Sequence, residues 1–150
     1  MNPLFPVHSI PVETLAAYRS AIYRIDDEPP IDMMIDTRND AAASLLARHD
    51  VTGAVFVTAF NPFGRALEQN ENATRQQALA ALVAQTGLHA LPGAGIDPKG
   101  AWTSETSLLV LGADKETADE LMIAFEQNAV VILDADGVPR LRLHPRYRHA

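Results

Sequence analysis

The run VTGAVFVTA, residues 51–59, limits the fold of this chain more than any other stretch. β-Branched and aromatic side chains favour extended backbone, and Ala54, Val55, Phe56 and Val57 follow one another with no polar residue between them. A strand with one face in water alternates apolar and polar residues, because successive side chains point to opposite faces. Without that alternation both faces are covered, as they are in the centre of a sheet. A sheet with this segment inside it is therefore the frame into which the other segments must fit.

Those segments carry their own local signals. PVETLAAYRSAIY reads as a helix opened by Pro11 and Thr14 and followed by Ala17, Tyr18 and Ile22, and DDEPP ends it or a strand after it. IDMMIDT is a short strand candidate, and NDAAASLLARH a helix capped by Asn39 or Asp40. NENATRQQALAALVAQTG is a helix closed by Gly87, and LHALPGAGIDPKGAWTSETSLLVLG reads as two extended segments around a Gly/Pro-rich connection. DKETADELMIAFEQN offers Asp114 or Thr117 as N-cap and Ala118, Leu121, Met122 and Phe125 as one apolar stripe. NAVVILDADGVPRLRL predicts an antiparallel hairpin over residues 128–143, turning at Ala135 to Gly137. With no repeat or linker, the expectation is one domain over 1–150. Its class is α+β, a mixed α/β sandwich: one mixed, largely antiparallel sheet, about three helices and a C-terminal β-hairpin.

Composition narrows the functional classes. A chain of 150 residues can bury one sizeable core, and no apolar run approaches the roughly 20 residues that span a bilayer. MNPLFPVHSIPV has no Lys or Arg ahead of an apolar stretch and is broken by prolines, so it does not read as a secretory signal. A cytoplasmic location follows as the expectation, and the absence of Cys agrees with it. A net charge of −7 works against general nucleic-acid binding. Arg140, Arg142, Arg146 and Arg148 near the end read as a solvated tail, or as a contact for an acidic partner.

Several familiar chemistries are set aside. The histidines at 8, 49, 89, 144 and 149 never fall four apart, and no thiolate completes a zinc site, so no metal or cofactor is expected. DADG lacks the later ligands of a calcium loop. GAGIDPKG lacks the Gly-Lys-Ser/Thr ending of a phosphate loop and reads as a turn, and there is no Gly-x-Ser-x-Gly elbow.

What remains is polar residues at the ends of elements. Asn72, Arg75, Gln76, Leu79, Leu82, Val83 and Thr86 recur at helical spacings, so the face expected to bury Leu79, Leu82 and Val83 carries Asn72 and Arg75 towards the protein. In WTSETSLLVLG, Glu105 and Ser107 share a face with Leu109, whereas Trp102, Ser104 and Thr106 share the other with Leu108 and Val110. Gln127 and Asn128 follow the Phe125 end of a helix, where Asn128 also suits a C-terminal cap.

In order, TAFNPFG, EN, GID, G-x-W leading to ETSLLVLG, and AFEQNAVV resemble the bacterial family named domain of unknown function 3293. The matching positions are Thr58, Ala59, Asn61 and Pro62; Glu71 and Asn72; Trp102, Glu105 and Ser107; and Phe125, Gln127 and Ala129, within roughly residues 18–133. Gly64 departs from the pattern, which leads one to expect Ser or another polar residue there. The resemblance implies a compact bacterial domain of the cytosol and supplies no reaction, substrate or cofactor.

Two functions are expected to compete. The first is a small-molecule site for an anionic or nucleotide-like ligand, built from Asn61, Arg65, Asn72, Arg75, Glu105 and Gln127. Its anionic preference rests on Arg65 and Arg75 beside a helix N-terminus, with ordinary pairing to Glu68 or Glu71 as the rival account. Whether the chain is an enzyme stays open, and Glu105 is the single candidate base. The alternative is a structural hydrogen-bond network in a domain that binds a protein partner through another surface.

Overall fold

A computed structural model describes residues 9–148. The elements run α1 (Val12–Ser20), β1 (Ile22–Ile25), β2 (Ile31–Met33), α2 (Asp40–Arg48), β3 (Gly53–Val57), α3 (Gln69–Gln85), β4 (Ala90–Ile96), β5 (Glu105–Leu111), α4 (Lys115–Phe125), β6 (Ala129–Asp134) and β7 (Pro139–Leu143). The strands form one sheet in the order β2-β1-β4-β5-β3-β6-β7. β3 lies between β5 and β6, as its unbroken apolar run requires.

Every pairing in this sheet is antiparallel, so the expected mixed sheet is corrected, and there are four α-helices among the described residues where about three were expected. The reason lies in the strand order. Helix α3 joins β3 to β4, which run the same way, but β5 lies between them; α4 joins β5 to β6, with β3 between them. Each helical crossover thus links strands of one direction that never touch. This is the split β-α-β arrangement, and β3 to β6 repeat its ferredoxin-like β-α-β-β-α-β order. β1 and β2 extend one edge, and β7 the other.

Both faces of the sheet are covered. Val55 and Val57 pack with Leu79 and Val83 of α3 and with Ala118, Leu121, Met122 and Phe125 of α4. Ala54 and Phe56 face the other way, against Leu45 and Leu46 of α2. Each such side chain withdrawn from water stabilises the fold by about 1.5–3 kcal/mol. Local chemistry caps the starts of three helices, two of them at residues the sequence offered as caps. Asn39 accepts from Ala42 N to cap α2, Asp114 from Thr117 N to cap α4, and Glu68 and Glu71 form a reciprocal capping box on α3. The hairpin also forms as expected, with Val131 opposite Leu141. Its turn is tied to α2 by Asn39 N donating to Gly137 O at 2.7 Å.

Two local readings change. The first helix stops at Ser20, and Ile22 enters β1. The arginines near the end are engaged rather than solvated: Arg142 holds Asp119 at 2.9 and 3.0 Å and Arg148 holds it at 2.9 Å, while the Arg146 guanidinium lies 4.4 Å from the centre of the Phe63 ring. Among the described residues no helix is long and apolar enough to cross a membrane.

Candidate functional site

β3 and β4 finish, and β5 and β6 begin, at the same end of the sheet. The loop leaving β3 turns sharply there, with Asn61 and Phe63 at φ 51° and 49°, a left-handed conformation that Asn tolerates better than most residues. A loop so close to the core must find partners for its backbone groups, and side chains from other elements supply them. Ala59 N donates to Gln76 Oε1 at 3.0 Å, and Asn61 N to Asn72 Oδ1 at 2.9 Å. Ala59 O accepts from Arg75 Nε at 2.7 Å, and Phe60 O from Gln127 Nε2 at 3.0 Å.

Asn61 is the hub. Its Oδ1 accepts from Asn72 Nδ2 at 2.9 Å and from Leu67 N at 3.1 Å, and its Nδ2 donates to Glu105 Oε2 at 2.7 Å. Asn72 comes from the first turn of α3 and is 4% exposed. Glu105 opens β5 on the face predicted by alternation with Ser107 and Leu109. Burial pushes its carboxyl above the ordinary value, and the Asn61 hydrogen bond opposes that shift only in part. Glu105 Oε1 and Gln127 Oε1 accept no hydrogen bond from the described residues.

Beside this network lies a cavity of about 620 Å³, between α1 and the face of the sheet that carries Phe56 and Val131. Asn61, Asn72, Glu105 and Gln127 line it, together with the rings of Tyr18, Tyr23, Phe56, Phe60 and Trp102. The space exists because small residues meet there. Gly95 pairs in register with Tyr23 on one side and Glu105 on the other, and a Cβ on it would meet no atom within 4 Å. α1 roofs the cavity without burying any residue of its own. It is tethered by Tyr18, whose hydroxyl accepts from Asn128 Nδ2 at 3.1 Å and whose carbonyl accepts from Tyr23 Oη at 2.6 Å. Asn128 is thus a bridge rather than a helix cap: Glu126, at φ 54°, caps α4, and Tyr147 donates to Asn128 Oδ1.

The structure brings together Asn61, Asn72, Glu105 and Gln127, and places Arg65 and Arg75 elsewhere. These two border a separate hollow with Pro62, Leu67, Asn70, Glu71 and Thr74. The Arg75 guanidinium is committed to Ala59 O, to Phe125 O at 2.5 Å and to Glu126 at 3.6 Å, so its acidic neighbour is neither Glu68 nor Glu71. Tyr18, Tyr23 and Gly95 were not legible as site residues. The stretch that holds the two tyrosines reads only as a helix, and a Gly in GAGIDPKG reads as a turn. Gly64 has φ 78°, where a Ser would be strained, so its departure from the family pattern has a backbone reason.

The fold and site define an antiparallel α/β domain in which a polar network at one end of the sheet walls an aromatic cavity. Within it, residues 57–130 match the family described as protein of unknown function (DUF3293), which supports the resemblance carried by the motifs. The match is narrower than the 18–133 expected from the motifs. It includes the whole Asn61–Asn72–Glu105–Gln127 set and leaves out Tyr18 and Tyr23. No curated protein and no solved structure matches the chain.

Proposed function

We propose that this domain binds a small organic molecule in the cavity beneath α1, and that it does so in the cytoplasm. The observation that carries this reading is the cavity itself. Its volume, about 620 Å³, lies in the range of ligand sites, and its lining combines apolar rings with a few convergent polar groups. A closed structural network accounts for Asn61 and Asn72, whose polar side-chain atoms are used on one another and on nearby groups. It does not account for the unpartnered oxygens of Glu105 and Gln127, or for the space in front of them. On this reading the two asparagines build the wall, and Glu105 and Gln127 meet the ligand. An anionic or nucleotide-like ligand, expected from Arg65 and Arg75, would find no Arg, Lys or His among the described lining residues.

A thermal-shift screen of metabolites against the parent and Gly95→Leu tests the proposal. A ligand at a hundred times its dissociation constant stabilises by about 2.7 kcal/mol, roughly 5–10 °C for a chain of this size. Gly95→Leu fills the cavity and abolishes the shift. A ligand that stabilised the folded variant as well as the parent would place binding elsewhere.

A further inference from the structure

Resting on that reading, we propose that the cavity takes an organic cation of the ammonium, amidinium or guanidinium class, held by the Glu105 carboxylate and stacked on the aromatic walls. Two observations lead there independently.

The first is charge. The charged residues lining the cavity, among those described, are Glu13 and Glu105. Of the arginines adjacent in sequence to lining residues, Arg24 holds Asp32 at 2.7 Å, Arg140 holds Asp136 at 2.8 Å, Arg142 holds Asp119 at 2.9 Å, and Arg65 borders the separate hollow with Pro62 and Glu71. Arg19 reaches Asp36 at 3.4 Å, Arg75 holds backbone carbonyls, and Arg146 lies on Phe63. A net charge of −7 adds a field of the same sign.

The second is the direction of the hydrogen bonds. Asn61 Nδ2 is used on Glu105, Asn72 Nδ2 on Asn61, and Gln127 Nε2 on Phe60 O and Phe125 O. Three hydroxyls near Glu105 follow the same pattern: Ser107 donates to Glu105 O at 2.9 Å, Thr58 to Thr106 O at 2.7 Å, and Tyr23 to Tyr18 O, whereas Thr14, Gln69, Trp102, Thr103 and Ser104 line the rest of the cavity. With these donors turned into the protein, Glu105 Oε1 and Gln127 Oε1 remain as acceptors. A ligand that brings N–H donors and positive charge completes such a wall, and the rings offer their negative faces to a cation. At this end of the cavity an anion would meet the Glu105 carboxylate and the Gln127 carbonyl oxygen.

The chemistry could come from a free metabolite or from a basic side chain of a peptide, and matched probes separate the two. Benzamidine, benzylamine, benzamide and benzoate are titrated calorimetrically into the full chain, into Glu105→Gln and into Gly95→Leu, with N-acetyl-arginine amide as the peptide arm. Benzamidine and benzylamine are expected to bind the parent at least about tenfold more tightly than benzamide, and benzoate not at all. Glu105→Gln, which keeps an oxygen for Asn61, removes that preference while remaining folded with a cooperative melt; Gly95→Leu blocks all probes. Binding of the capped arginine on a par with benzamidine assigns the site to a peptide side chain, and much weaker binding assigns it to a free small cation. If benzamide or benzoate equals benzamidine and Gly95→Leu blocks it, the cation class is overturned and the cavity reading stands. If no probe binds the parent, both fall.

Discussion

Replacing Asn72 by Ala removes the side chain that holds the β3–α3 loop against the sheet. Two hydrogen bonds of 2.9 Å to Asn61 disappear, and the Asn61 N–H loses its partner next to the core. Each bond contributes about 1 kcal/mol net, and an orphaned buried donor costs about 1–3 kcal/mol. Ala is the better helix former, which returns about 0.5 kcal/mol. The expected loss is therefore about 2–4 kcal/mol, roughly 5–15 °C in melting temperature at this chain length. Urea unfolding followed by far-UV circular dichroism measures it. Gln77→Ala, on the exposed side of the same helix, serves as control and stays within about 0.5 kcal/mol of the parent. Asn61→Ala removes the side-chain bond from the other end and leaves the Asn61 N–H bonded to Asn72, so with one shared bond the double variant costs less than the sum by about 1 kcal/mol. An Asn72→Ala variant within about 0.5 kcal/mol of the parent, or strict additivity in the double variant, would refute the claim that this network holds the loop.

Neighbouring glycines of β4 should behave oppositely. A Cβ at Gly93 would lie 2.4 Å from Arg24 O and 2.9 Å from the Phe56 ring, so Gly93→Ala costs about 1–3 kcal/mol or more, whereas Gly95→Ala projects into space and is neutral to slightly stabilising. Glu105 is held above its ordinary 4.5 by burial, so the folded state binds the proton more tightly than the unfolded one. Its contribution is present at low pH and is lost as pH rises through the raised value. The stability difference, parent minus Glu105→Gln, therefore falls from acid towards neutral pH in urea titrations, and a flat difference would contradict the burial argument. Asp119 is the reverse case, held below its ordinary 3.8 by hydrogen bonding to Arg142 and then Arg148. Its contribution is present above that value and is lost as pH falls, so Asp119→Asn is destabilised at neutral pH and has a shallower acid-unfolding limb than the parent.

Local periodicity carried much of this protein in one dimension. The unalternating run at residues 54–57 dictated a central strand, Asn39 and Asp114 marked helix starts, and DADG marked the hairpin. The alternation of Glu105, Ser107 and Leu109, and the helical spacing of Asn72 with Leu79 and Val83, aimed a carboxyl and an amide at the same interior. These features follow from the covalent geometry of single elements, which repeats every 2 residues in a strand and about every 3.6 in a helix. Only the tertiary structure decided strand order, because which strand slips between β3 and β4 depends on pairing between distant segments. It also decided where the arginines go. Arg75 shares a helix face with Asn72, but its longer side chain reaches past the cavity wall to the carbonyls of Ala59 and Phe125. The cavity was the least legible feature. Gly95 leaves space only because Tyr23, Glu105 and α1 surround it from three separate parts of the chain, and a void bounded by distant segments has no signature in any one stretch of sequence.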